Sequence, residues 1–340
     1  MLPREDLNHV LSHTRDFWGE LRGAQIFVTG GTGFFGCWLL ETFAFINAAL
    51  CLNARLLVLT RDAHKFRAKA PHLAANPAIE MIEGDVRDFT FPEVECSHVI
   101  HAATTSSAVV EPLEMLDTIL AGTRHALDFA IACGAKKFLL TSSGAVYGRQ
   151  PSELTHVPEN YAGMPDLADP NSAYAEGKRA AELLCAIYAH QHGLETKIAR
   201  CFAFVGPHLP LHAHFAIGNF IRDALATRPI HVNGDGTPFR SYLYAADLAI
   251  WLWTILFKGG PNRAYNVGSE DDRTIAEWAD AVSTVLDKTS AVQISKERDP
   301  HTPSGRYVPD TARAREELGL HEWTPAEIAI SKTATWYRQQ

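Results

Sequence analysis

Tyr174 and Lys178 stand four residues apart in Tyr174-Ala175-Glu176-Gly177-Lys178, early in a segment with helical periodicity. Residues at i and i+4 share one helix face, so a phenol and an ammonium can converge on one ligand. A free phenol titrates at about 10, too high for ready proton exchange at neutral pH. A cation about 4 Å away, at an effective dielectric near 20, favours the phenolate by ~4 kcal/mol, roughly three pKa units. Such pairs are also common on helices with no chemistry. The hydroxyls of Thr141-Ser142-Ser143, followed by Gly144-Ala145-Val146-Tyr147-Gly148, end an apolar run and could hydrogen-bond a substrate oxygen beside the phenol; the bland alternative is a Ser-Gly turn.

A second group sits near the start. Ile26-Phe27-Val28-Thr29 leads into Gly30-Gly31-Thr32-Gly33-Phe34-Phe35-Gly36 and then Trp38-Leu39-Leu40. The pattern is strand, glycine-rich turn, helix. Gly30 and Gly33 would let the backbone turn and approach a pyrophosphate, and Gly36 would let the helix pack closely on the sheet. Thr32, Phe34 and Phe35 lie where the helix N-terminus supplies donors and positive dipole. The next apolar run, Leu56–Leu59, ends in Thr60-Arg61-Asp62. An arginine there suits the 2′-phosphate of NADP, a carboxylate the ribose hydroxyl of NAD. Arg61 favours NADP(H), the alternative being a solvated Arg61 with Asp62 reaching the ribose. Asp85-Val86 and Ala102-Ala103 close two further runs at the same edge, where Asp85 could accept from an adenine amino group; a turn residue or a packed small residue is the equal alternative for each.

Positioning these groups takes alternating elements. Strands are expected at Ile26–Thr29, Arg55–Thr60, Glu80–Glu83, Val99–Ala102, Lys137–Ser142 and Lys197–Phe202, with helices between them at Gly36–Ala48, Glu111–Cys133 and Ser172–His192. That alternation predicts an α/β fold, a Rossmann-like doubly wound parallel sheet. After Gly206-Pro207 the rhythm shortens, which predicts a smaller C-terminal α/β substrate lobe. Helices are expected at Thr274–Leu286, with Thr274 and Glu277 as a capping box, and at Thr311–Leu318, stopped by Gly319. The division expected is 23–205 plus about 240–260 for the dinucleotide, 206–239 plus about 261–340 for the substrate, and a helical extension over 1–22.

At 340 residues the chain exceeds what one core usually supports, consistent with two lobes. A net charge of −8 without any Lys/Arg-rich run argues against a nucleic-acid partner. The stretch Leu248–Phe257 is about half the length that a bilayer-spanning helix needs, and Met1–Glu20 lacks an apolar leader segment, so neither membrane nor secretion is expected. Six scattered cysteines read as reduced, buried thiols of a cytoplasmic protein. His208, His212 and His214 cluster, yet nothing completes a recognisable ligand set, so no metal is expected. Trp251–Trp253 with Phe257 reads as core.

These motifs together resemble the extended short-chain dehydrogenase/reductases, and more narrowly the NAD-dependent epimerase/dehydratase family acting on nucleotide-sugars. The likeness runs from about Gln25 to the C-terminus and includes Arg200-Cys201-Phe202, Gly234-Asp235-Gly236-Thr237, Arg240-Ser241-Tyr242, Asp247-Leu248-Ala249 and Tyr265-Asn266-Val267-Gly268. It implies a catalytic trio: Ser143 orienting the sugar C4 oxygen, Tyr174 exchanging its proton, and Lys178 holding the nicotinamide ribose. Ser142, Asn219, Arg240, Arg298 and Arg306 are the implied substrate contacts, the guanidinium of Arg240 matching diphosphate oxygens; each of the last two could equally be a surface ion pair. A homodimer through Glu111–Cys133 and Ser172–His192 is implied as well.

The chain also departs from the family. Dehydratases place Asp-Glu after the active-site hydroxyl and decarboxylating relatives place a glutamate there; this chain has Gly144 and Ala145. Losing a general acid typically costs ~10²–10⁴-fold. The expected activity is therefore a 4-keto reductase or C4 epimerase of a nucleotide-diphospho-sugar. A 4,6-dehydratase with another acid and a cofactor-binding sensor are the rivals. Asn is usual where Ile119 and Ala203 stand, so substrate contacts must differ in detail.

Overall fold

In the computed structural model, residues 1–104, 110–213, 215–286, 291–299, 301 and 304–340 are described. They form two compact units. The first comprises Met1–Val146, Pro165–Arg200 and Ala249–Tyr265; the second comprises Tyr147–Met164, Cys201–Leu248 and Asn266–Gln340.

The first unit is built on β1 (Gln25–Thr29), β2 (Arg55–Thr60), β3 (Ile79–Glu83), β4 (His98–His101), β5 (Lys137–Ser143) and β6 (Glu195–Cys201). With Arg263–Val267 as a seventh strand beside β6, the order across the sheet is Arg263–Val267, β6, β5, β4, β1, β2, β3. β3, β2, β1, β4 and β5 pair in parallel. The order reverses between β1 and β4, which makes their carboxyl ends the switch point where α/β sheets bind ligands. The fold is the expected Rossmann-like one. Boundaries moved slightly: β4 spans His98–His101, and the bond from Ala102 N to Thr29 O at 3.2 Å is the last rung of its ladder with β1.

Helices α1 (Arg4–Thr14), α2 (Phe34–Ala49), α3 (Ala63–Lys69), α4 (Pro71–Ala74), α5 (Pro112–Ala132) and α6 (Ala173–His192) belong to this unit. The strands are near-continuous apolar runs because both faces are covered. Phe27 of β1 meets Phe129 of α5 at 4.4 Å between ring centroids and Phe89 at 5.3 Å, and all three are buried. Burying each such ring is worth ~1.5–3 kcal/mol, which seats α5 on the sheet. On another part of the unit Trp18 packs on Trp253 at 4.7 Å, and Glu20 holds His98 at 3.0 Å and Lys137 at 2.8 Å. The residues at 1–22 are thus part of the first unit's packing. Trp251 and Trp253 are core, as the sequence implied. Five cysteines are buried, but Cys51 is exposed, at a left-handed turn after α2, where an apolar environment is out of reach.

The second unit contains helices Ala216–Leu225, Ile275–Leu286, Ala312–Leu318 and Ala326–Arg338, with short strands between them. The capping box forms: Thr274 N donates to Glu277 Oε2 at 2.7 Å, and Glu277 N to Thr274 Oγ1 at 3.2 Å. Gly319 ends its helix at φ +66, in the left-handed region. Phe239–Arg240 pairs antiparallel with Arg273–Thr274 and parallel with Arg306–Tyr307, which brings three arginine-bearing strands side by side. Among the described residues no helix is long and apolar enough to cross a membrane.

Candidate active site

The glycine-rich turn is shaped by close backbone approaches that only glycine permits. Gly30 has φ +72, and a Cβ there would lie 2.4 Å from the Ala102 carbonyl carbon; at Gly36 it would lie 2.3 Å from Gly31. β1 and β4 therefore pinch together at the start of the turn, and α2 sits tight against it. Gly33 is the residue before α2, and no side chain caps the helix or places an acid in its first turn, formed by Phe34 and Phe35. The positive end of the helix dipole is left to an anion. Thr104 Oγ1, just past Ala102 and Ala103, is buried with no hydrogen-bond partner among the described residues. Pinched glycines, an uncapped helix and an orphaned hydroxyl suit a dinucleotide.

A continuous polar chain crosses the sheet's carboxyl edge. Thr29 Oγ1 meets His101 Nδ1 at 2.8 Å and accepts from Ala103 N at 3.1 Å. Thr141 Oγ1 donates to His101 O at 3.3 Å, and Lys178 Nζ donates to Thr141 O at 2.9 Å. Burial, with the nearby Lys178 charge, pushes the His101 imidazole down to about 3, so it is neutral at physiological pH. Lys178 is almost fully buried, and its ammonium is 5.9 Å from the centroid of the Tyr174 ring. The four-residue spacing does place both side chains together. Tyr174 is half-buried over an apolar floor that includes Ile119, and Gly177 fits there because a Cβ would approach Ile119 to 3.1 Å.

The two serines of β5 diverge, since successive strand residues point to opposite faces. Ser142 Oγ donates to Glu182 Oε1 at 2.5 Å, and Arg200 Nη2 meets the other oxygen of that carboxylate at 2.6 Å. Ser142, expected to touch substrate, is thus engaged in a partly buried network between β5, α6 and β6. Ser143 Oγ accepts from Ala145 N at 3.1 Å at the head of the short 3₁₀ turn Gly144–Tyr147. Arg179 Nη1 of α6 holds that turn through Val146 O at 3.2 Å. No carboxylate occupies the two positions after Ser143.

Arg61 is exposed directly after β2. Asp62 is turned to α3, its Oδ1 accepting from Lys65 N at 2.7 Å as the helix cap. The expectation that Asp85 could take an adenine amino group meets competition: Arg87 holds both of its oxygens, at 2.9 and 3.0 Å, and keeps the carboxyl below its ordinary range. Val86 offers backbone only, since its side chain is buried against Gly122.

In the second unit Asn219 and Arg240 line one cavity of about 900 Å³. Arg240 is half-buried, with its guanidinium 5.9 Å from the Tyr307 ring centroid. Arg298 and Arg306 are not among its lining residues. Arg306 is bound to Asp272 at 2.6 Å and stacked 3.8 Å over Phe239, a structural ion pair. Sequence reasoning missed Arg222, Arg228 and Asp223 here: Asp223 Oδ1 takes both guanidinium groups, at 3.0 and 3.1 Å. Arg222 lies one turn from Asn219, the only sequence signal for that cluster. Among the described residues no three His, Cys, Asp or Glu side chains gather as a metal site. His212 lines the cavity, His208 packs on Trp336, and His214 lies outside the described residues.

A profile of the NAD dependent epimerase/dehydratase family matches residues 26–268. The chain belongs to this family. Among its relatives, UDP-glucuronic acid decarboxylase 1 of Arabidopsis thaliana is 32% identical over 308 residues, 88% of this chain and 66% of the relative. The chain thus spans just under two thirds of that protein's length. UDP-glucuronic acid decarboxylase 6 of the same plant is 31% identical over 322 residues, 93% of this chain and 87% of the relative. Of solved structures, the dTDP-glucose 4,6-dehydratase DesIV of Streptomyces venezuelae, with NAD bound, superposes with TM-score 0.78 at 25% identity, covering 93% of this chain and 97% of its own. An epimerase of Methanothermobacter thermautotrophicus shares the fold at TM-score 0.80 and 21% identity, covering 97% and 96%.

Proposed function

We propose that this epimerase/dehydratase family member is an NAD(P)-dependent oxidoreductase acting at C4 of a nucleotide-diphospho-sugar, as a 4-keto reductase or C4 epimerase. The observation that carries the reading is the Ser143 turn: hydroxyl, phenol and ammonium are retained while the following positions, Gly144 and Ala145, can move no proton. Hydride exchange at a carbinol carbon needs only those three groups and a nicotinamide. Elimination of water and loss of a carboxylate need further acid–base help.

In this reading Ser143 Oγ orients the sugar C4 oxygen and Tyr174 exchanges its proton. Lys178, anchored on Thr141 O, fixes the nicotinamide ribose and favours the phenolate. The bound nicotinamide supplies or accepts the hydride. Asn219 and Arg240 hold the nucleotide diphosphate in the second unit's cavity, a guanidinium being suited to phosphate oxygens. Arg61 with Asp62 diverted to the α3 cap supports NADP(H) over NAD. Exposed Leu113, Leu183 and Ile187 on α5 and α6 support a homodimer through those helices.

The test is to purify the protein, extract any bound nucleotide, and follow NADPH and NADH oxidation with nucleotide-linked 4-keto-hexoses. Stoichiometric NADPH consumption supports the reductase; interconversion of C4 epimers with tightly held NAD supports the epimerase. A second reading is favoured by the relatives of about 31% identity, which are UDP-glucuronic acid decarboxylases. Release of CO₂ from UDP-glucuronic acid would establish it and overturn the first. A 4-keto-6-deoxy product from a dTDP- or GDP-hexose would likewise establish a dehydratase.

A further inference from the structure

Cys96 and Cys133 are 37 positions apart in sequence, yet the fold sets their thiols against each other. Cys96 lies two residues before β4, and Cys133 follows the last residue of α5. Cys96 N donates to Cys133 O at 3.0 Å and Lys136 N to Ser97 O at 3.0 Å, so the two segments run side by side. Ser97 N is fixed in turn to Gln25 O at 2.9 Å. A direct main-chain bond brings two Cα atoms to roughly the 4.4–6.8 Å that a disulfide spans. The polar contacts continue through the sulfurs. Gln25 Nε2 donates to Cys96 Sγ at 3.9 Å, the Cys96 thiol meets Cys133, and Cys133 Sγ donates to Ala130 O at 3.6 Å.

The two thiols are not equivalent. The Cys133 sulfur receives the Cys96 thiol and the main-chain N–H groups of Ala135 and Cys96, which hold it below the ordinary thiol range despite its burial. The same contact, together with burial, pushes the Cys96 thiol up. A thiolate is the nucleophile in oxidation, and a neighbouring protonated thiol is its resolving partner. Both side chains are buried, but shallowly. Ala132 and Gly134 on either side of Cys133 are exposed, as is Glu95 before Cys96, and no atom lies within 4 Å of where a Gly134 Cβ would stand. A small oxidant needs only the last turn of α5 to open. Cys51 is exposed, with its sulfur on Ala48 O at 3.7 Å, and is the competitor for any oxidant.

We propose that Cys96 and Cys133 are a redox modification site at the amino edge of the sheet, forming a reversible disulfide with hydrogen peroxide that locks the end of α5 to the segment entering β4. The Cys133 thiolate attacks one peroxide oxygen; the O–O bond breaks, a sulfenic acid forms, and the departing hydroxide leaves as water with the Cys133 proton. The Cys96 sulfur then attacks the sulfenyl sulfur. The S–S bond forms, the S–O bond breaks, and the second hydroxide leaves as water with the Cys96 proton. Two thiols lose two electrons and two protons, and one peroxide becomes two waters. The site is independent of the nicotinamide and sugar chemistry proposed above.

The test treats the reduced full chain with graded hydrogen peroxide, unfolds it in an alkylating agent, and reads the intact mass and a peptide map. Two of the six thiols should be lost to alkylation, with a linked peptide pair carrying Cys96 and Cys133, and both thiols should return with dithiothreitol. In Cys96→Ser the reaction should stop at a sulfenic acid on Cys133, captured by dimedone; in Cys133→Ser none should appear at Cys96. The linked protein should also melt higher, by roughly 5 °C, because the crosslink restricts a long loop of the unfolded chain. Oxidation confined to Cys51, with Cys96 and Cys133 alkylated in full, overturns the proposal, and the wild type alone decides this if a variant fails to fold. A linked pair whose melting temperature is unchanged or lower overturns the locking role.

Discussion

Lys178 Nζ donates to the main-chain oxygen of Thr141 across 2.9 Å, tying α6 to the end of β5. The ammonium is almost fully buried and cannot wander, so its distance from Tyr174 is set by the fold rather than by rotamer choice. Lys178→Met preserves length while removing charge. It should lower turnover by ~10²–10⁴-fold and, by orphaning the Thr141 carbonyl, cost ~1–3 kcal/mol of stability. Tyr174→Phe should show the kinetic loss with little loss of stability. Steady-state rates beside denaturant unfolding check both; a fully active Met variant would contradict the assignment.

Two glycines with almost equal φ should respond very differently to alanine. At Gly134, φ +74 with no atom within 4 Å of the new Cβ, only left-handed strain of about 1 kcal/mol is expected. At Gly30, φ +72, the Cβ would strike the Ala102 carbonyl at 2.4 Å and force β1 from β4. Gly30→Ala should therefore lower the melting temperature more and also abolish nicotinamide-nucleotide binding, read by fluorescence titration. Equal behaviour of the two variants would mean that the pinch has no functional role.

The adjacent serines of β5 offer a contrast within one dipeptide. Ser142→Ala deletes a hydrogen bond to the Glu182 carboxylate and should cost ~1.5–3 kcal/mol of stability with KM for the sugar nucleotide unchanged. Ser143→Ala removes the acceptor of Ala145 N and should cost about 1 kcal/mol of stability, less than Ser142→Ala, while cutting turnover by roughly a hundredfold. Reversal of the two phenotypes would reassign the substrate-facing hydroxyl.

Acid should unfold the first unit partly through His101. Its imidazole is buried between Thr29 and Thr123 and pushed down to about 3, against 6.5 for an exposed histidine. The unfolded chain therefore binds a proton in the interval where the folded one does not. The stability this contributes is fully present above about pH 6.5 and is lost as pH falls toward 3. Urea midpoints measured from pH 7 to pH 4 should decline less steeply in His101→Gln than in the wild type. Parallel declines would point to a different titrating group.

How much of this was legible beforehand depended on whether the signal was local. Strand–turn–helix at Ile26–Leu40, the i, i+4 pair Tyr174 and Lys178, and the box at Thr274 and Glu277 are short-range patterns. Backbone sterics and the 3.6-residue repeat act within one element, so the chain alone specified them, along with the parallel sheet and the lack of an acid after Ser143. Even the placement of Trp251 and Trp253 in the core followed from their apolar company.

The partners of exposed or bifunctional groups were decided only on folding. Nothing in the spacing of Ser142, Glu182 and Arg200 announces their network, because β5, α6 and β6 meet only in the packed sheet. Arg306 reads as a phosphate ligand until Asp272 is found beside it, and Asp62 as a ribose ligand until it caps α3. Lys69 stands 37 residues from the Thr32 carbonyl it reaches. A charged side chain takes whichever opposite charge the tertiary arrangement brings within a few ångströms, and Coulomb energy depends on that distance rather than on separation along the chain.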